Sequence, residues 1–144
     1  MKLKYLVLAL SLTASQAFAC VASENIDLYF AQNSTQLPNS EIVRLAHWIA
    51  DQKLTYERHQ TEEATALSGH ADSTERDASA TARARMLLGE QLLVNMGFTK
   101  ASIHTSARVY NKGDVENGRR IEISFGPQCP NKCCNAPTRD TAKQ

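Results

Sequence analysis

Ser68-Gly69-His70-Ala71-Asp72, then a helix-forming stretch carrying Arg83 and Arg85, then Asn117-Gly118-Arg119-Arg120-Ile121-Glu122-Ile123, decide how this chain folds. Residues 64–68 read as a short apolar strand, with Gly69 at its end and Asp72 delivered to a turn beyond it. Residues 120–125 read as a further strand, apolar at alternate positions, so one of its faces is buried. An acid at the end of one strand and arginines on a helix and at the start of another strand can converge on one shallow site. Such a site suits a zwitterion, because a carboxylate takes an ammonium and a guanidinium takes a carboxylate through two parallel hydrogen bonds.

Working outward, Ile-Asp-Leu-Tyr-Phe at residues 26–30 alternates with the period of a half-buried strand. Asn33-Ser34-Thr35 and Pro38-Asn39-Ser40 supply turn and cap residues, and Ser40 is the expected N-cap of a helix. That helix carries Ile42, Leu45, Ile49 and Leu54 on one stripe, with Ala46 and Trp48 at its edges. The polar residues 56–63 either prolong it or form a surface loop. Residues 78–96 are strong helix formers, with Ala84, Leu88, Leu92 and Met96 recurring at i+4, Leu87 widening the stripe, and Gly97 ending it. Residues 101–105 read weakly as a third strand that Val109-Tyr110 extends, and Asn111-Lys112-Gly113-Asp114 is a turn. The order β-α-β-α-β-β predicts an α+β two-layer sandwich, two helices packed on one face of a mixed sheet.

These segments resemble the OmpA-like peptidoglycan-binding domain, also found in peptidoglycan-associated lipoproteins, over residues 26–125. Gly69-His70-Ala71-Asp72 looks like the family's Gly-His-Thr/Ala-Asp, and Arg119-Arg120-Ile121-Glu122-Ile123 like its Asn-Arg-Arg-Val-Glu-Ile, with Gly118 where the Asn stands. Phe30-Ala31-Gln32-Asn33-Ser34 is similar to the family's Phe-Asp-x-Asp/Asn-Ser, with Ala31 replacing the acid. The resemblance implies a non-catalytic domain that grips the diamino-acid centre of a peptidoglycan stem peptide. Asp72 would take its ammonium, Arg119 would point into the site, and Phe30, Asn33 and Ala71 would line it. For the helix arginine, spacing back from Gly97 selects Arg85, whereas the family's Arg-Ala dipeptide selects Arg83-Ala84. Residues two apart lie about 200° around a helix, so one of them alone faces Asp72, and Arg85 is preferred.

Residues 1–19 read as a secretory signal, with Lys2 and Lys4 ahead of a short apolar run and Ala17-Phe18-Ala19 as a small-x-small cleavage site. Residues 20–126 then form the OmpA-like domain and residues 127–144 a Cys- and Pro-containing tail, in the periplasm or on the periplasmic face of the outer membrane. Cys20 is a candidate for lipidation, which would be the only membrane attachment. Alternatively, Cys20 pairs with Cys129, Cys133 or Cys134, and the family strand order would bring Cys20 near Cys129. A metal site on the tail cysteines is disfavoured, since no histidine lies near them.

The formal net charge is +1, which offers no electrostatic case for nucleic acid. Ser68, His70 and Asp72 alternate along one strand and do not stack into the geometry of a hydrolase triad, so no enzyme activity and no cofactor are expected. The expected partners are the stem peptide and other envelope proteins. The competing reading is an exported, disulfide-containing interaction or scaffold protein whose OmpA-like core does not bind the wall.

Overall fold

A computed structural model of the protein describes residues 23–56, 65–98 and 103–127. The expected signal segment, Cys20, the three tail cysteines and most of the polar 56–63 stretch lie outside these residues. The elements run β1 (Glu24–Tyr29), α1 (Asn39–Thr55), β2 (Thr65–Asp72), α2 (Ala78–Asn95), β3 (Ile103–Tyr110) and β4 (Arg120–Phe125). They form the expected α+β sandwich. The sheet has the order β1-β4-β2-β3, with β4 antiparallel to both of its neighbours and β2 parallel to β3.

Strand alternation builds the core. Ile26 and Leu28 of β1 pair with Ile123 and Ile121 of β4, and Leu67 of β2 pairs with Ile123 from the other side. These side chains and Phe125 cluster with Leu45 and Ile49 of α1, Leu93 of α2, and Phe98. The α1 stripe holds through Ile42, Leu45 and Ile49, but its last member is Gln52 with Tyr56, while Leu54 is 81% exposed. Ser40 is not the N-cap. The helix starts one residue earlier, behind Pro38, whose carbonyl accepts the amides of Glu41 and Ile42.

Two expectations about β2 and α2 are corrected together. Gly69 does not end β2, which continues to Asp72; it is glycine because α2 crosses there. A Cβ at position 69 would stand 2.3 Å from the Ala82 carbonyl oxygen and 2.5 Å from the Met86 amide nitrogen. To approach that closely, α2 turns its small residues inward, so its buried face is Thr81, Ala82, Arg85, Gly89 and Leu93. The predicted stripe is displaced to the flank. Leu88, Leu92 and Met96 pack partly buried beside the core, whereas Leu87 is exposed. Gly97 does end α2, at φ +61°, with its amide on the Val94 carbonyl and the Phe98 amide on the Leu93 carbonyl. The weak third strand is one continuous edge strand, β3, paired with β2 along its whole length.

Candidate functional site

Antiparallel pairing puts the start of β4 at the same end of the sheet as the ends of β1 and β2. Arg119 therefore sits beside Phe30, whose amide donates to the Arg119 carbonyl at 2.9 Å. Gly69 pairs with Ile121, so the residues that follow Gly69 run alongside those that precede Ile121. The topology thus gathers Phe30, Asn33, Ala71, Asp72 and Arg119 at one end of the sheet.

Asp72 presents its carboxylate to solvent. Its Oδ1 accepts the Thr74 amide at 2.8 Å and the Thr74 hydroxyl at 2.7 Å, an Asx-type turn that fixes the side chain. These two bonds hold its carboxyl below the usual carboxylate range, and the charges of Arg119 and Lys112 add to the effect. Oδ2 makes no hydrogen bond among the described residues. Arg119 is half-buried, makes no ion pair among the described residues, and its Nε is buried without a hydrogen-bond partner. Phe30 and Ala71 are buried, Phe30 within the core cluster, and Asn33 holds a left-handed backbone at φ +59°, which its short polar side chain tolerates.

Arg85 lies beneath this rim rather than on it. Nη1 and Nη2 each meet one oxygen of Glu75 at 2.7 Å; Nη1 also donates to the His70 carbonyl at 2.9 Å. Nε and Nη2 donate to the Ser34 carbonyl at 3.0 and 2.8 Å, and the guanidinium stacks on Phe30 with its Cζ 4.8 Å from the ring centroid. Glu75 in turn accepts the amides of Asn33 at 2.6 Å and Asp72 at 3.1 Å. Burial pushes its carboxyl up, and the Arg85 bonds and these two amides more than offset that, leaving it below the ordinary range. Arg83, two residues away, is exposed and makes no polar contact among the described residues.

The sequence reading missed Glu75 and Thr74. An acid that could neutralise a helix arginine facing the sheet was the available signal, since a buried guanidinium demands a partner. His70 is 2% exposed and stacks on Tyr110 with ring centroids 5.2 Å apart. Burial first, then the charges of Arg120 and Arg108, lower its pKa to about 4, so it is neutral near pH 7. An open cleft of about 580 Å³ lies on the other side of β4, lined by Asp27, Tyr29, Val115, Glu116, Asn117 and Arg120.

The same arrangement of strands and helices recurs in solved structures. The OmpA-like domain of FopA1 from Francisella tularensis subsp. tularensis SCHU S4 superposes with a TM-score of 0.50 at 15% identity, covering 73% of each chain. This chain has the OmpA-like fold. The periplasmic domain of MotB (residues 64-256) superposes at a TM-score of 0.55 with 12% identity, covering 76% of this chain and 66% of that one. A putative MotB like protein from Desulfovibrio vulgaris gives 0.52 at 13% identity, covering 74% and 77%. No family description and no curated protein sequence matches the chain. Among the described residues, no helix is long and apolar enough to cross a membrane.

Proposed function

We propose that this is a non-catalytic cell-wall binding protein of the bacterial envelope, exported to the periplasmic side. It grips the diamino-acid centre of the peptidoglycan stem peptide, with Asp72 on the ammonium and an arginine on the neighbouring carboxylate. The observation that carries the reading is Asp72 itself. One of its oxygens is tied down by Thr74 while the other faces solvent, at the end of an OmpA-like sheet where Arg119 also lies. A fixed carboxylate with a free oxygen beside an unpaired guanidinium is complementary to a zwitterion and to little else of that size.

Co-sedimentation with purified sacculi tests this. The full chain should pellet with sacculi, and Asp72→Ala should leave most of the protein in the supernatant while its circular dichroism stays unchanged. Equal pelleting of the two would refute the assignment.

A further inference from the structure

We infer that Arg119 receives the carboxylate of the ligand, and that the buried Glu75–Arg85 pair is a positioning frame that holds Asp72 and Asn33 in place without touching the ligand. The inference rests on the reading of Asp72 as the ammonium site, and it concerns the division of labour among the arginines.

A guanidinium has five N–H donors. In Arg85 all five are used: Nε on Ser34, Nη1 on His70 and Glu75, Nη2 on Ser34 and Glu75. Its side chain has no exposed surface, and neither has that of Glu75. A ligand carboxylate could reach Arg85 only by expelling Glu75, which would break two charge-assisted bonds and strand a buried charge. The same carboxylate of Glu75 accepts the backbone amides of Asp72 and Asn33. Glu75 therefore connects the helix to the two segments that form the rim.

Arg119 has the opposite properties. Its backbone is fixed, with its amide on Asn117 Oδ1 at 3.0 Å and its carbonyl on the Phe30 amide. Its side chain is uncommitted, with a buried Nε lacking a partner. The adjacent Gly118 lies next to β2: a Cβ there would make an ordinary contact, 3.7 Å, with the Ala71 carbonyl oxygen, one residue from Asp72. A pre-positioned backbone with an unused guanidinium is what a carboxylate-reading group needs, because little ordering is left to be done on binding.

Two soluble probes decide the matter by calorimetric titration of the full chain: a stem peptide containing diaminopimelate with its side-chain carboxylate free, and the same peptide amidated at that carboxylate. The wild type should prefer the free acid by roughly tenfold or more. Arg119→Ala should bind both probes equally and weakly, while Arg83→Ala keeps the wild-type preference. Glu75→Gln should weaken both probes by a similar factor and preserve the preference, as expected of a residue that positions Asp72. Tighter binding of the free acid by Glu75→Gln would mean that Glu75 competes with the ligand for Arg85, and would overturn the inference. So would a preference that survives in Arg119→Ala, a result that holds even if Glu75→Gln fails to fold. Failure of the wild type to bind either probe would instead remove the reading of Asp72 on which all of this stands.

Discussion

Glu75 and Arg85 face each other through two parallel hydrogen bonds of 2.7 Å, and neither side chain has any surface in contact with solvent. Removing one partner leaves the other charge buried and alone, at a typical cost of about 3–5 kcal/mol. Arg85→Ala and Glu75→Ala should each lower the unfolding free energy measured in urea by that much, and the double change Arg85→Ala with Glu75→Ala should cost much less than the sum. Additive losses would contradict a coupled pair.

His70 supplies a pH dependence with a definite sign. In the unfolded chain it binds a proton below about pH 6.5, and in the native state only below about 4. The unfolded state therefore holds more protons between those values, and stability falls as pH drops through that window, by about 2–3 kcal/mol in total from this group. Neither ring nitrogen makes a hydrogen bond among the described residues, the nearest polar group being a Glu122 carboxylate oxygen 3.6 Å from Nε2, so a phenylalanine gives up no hydrogen bond there. His70→Phe should match or exceed wild-type stability at pH 7, and its denaturation free energy should decline less between pH 6.5 and 4.5. Parallel pH profiles for the two proteins would rule this out.

Gly69→Ala should destabilise the fold by about 3 kcal/mol, near the upper end for overpacking, because the new methyl collides with backbone atoms of α2 rather than with a flexible side chain. Gly113, at φ +96° with nothing within 4 Å of a Cβ, is the control. Gly113→Ala carries backbone strain alone and should cost about 1 kcal/mol. Thermal melts that place Gly69→Ala at or above Gly113→Ala would contradict the close crossing.

The alternation of Ile121, Ile123 and Phe125 and the stripe of Leu45 and Ile49 were legible because each follows from one element's own periodicity. The face of α2 was not. Its orientation is set by which residues are small enough to lie against β2, and the apolar count along the helix favoured Leu88 and Leu92 over Ala82, Arg85 and Gly89. Gly69 was misread for the same reason, since a glycine demanded by a crossing helix has the same local signature as one that ends a strand. Asp72 could be found because it stands at a strand end in a recognisable pattern. Glu75 could not, because its meaning comes from a guanidinium ten residues away that is buried only once the helix has docked.

The most direct test of the central claim is to follow the backbone amide resonances of the full chain by NMR while adding the free-acid stem peptide. Binding at the end of the sheet should shift the amides of Asn33, Asp72, Thr74 and Arg119 in a saturable way, with the Arg83 amide unmoved and the response abolished in Asp72→Ala. Shifts confined instead to Asp27, Tyr29 and Glu116 around the cleft beyond β4, with Asp72 and Arg119 silent, would contradict it.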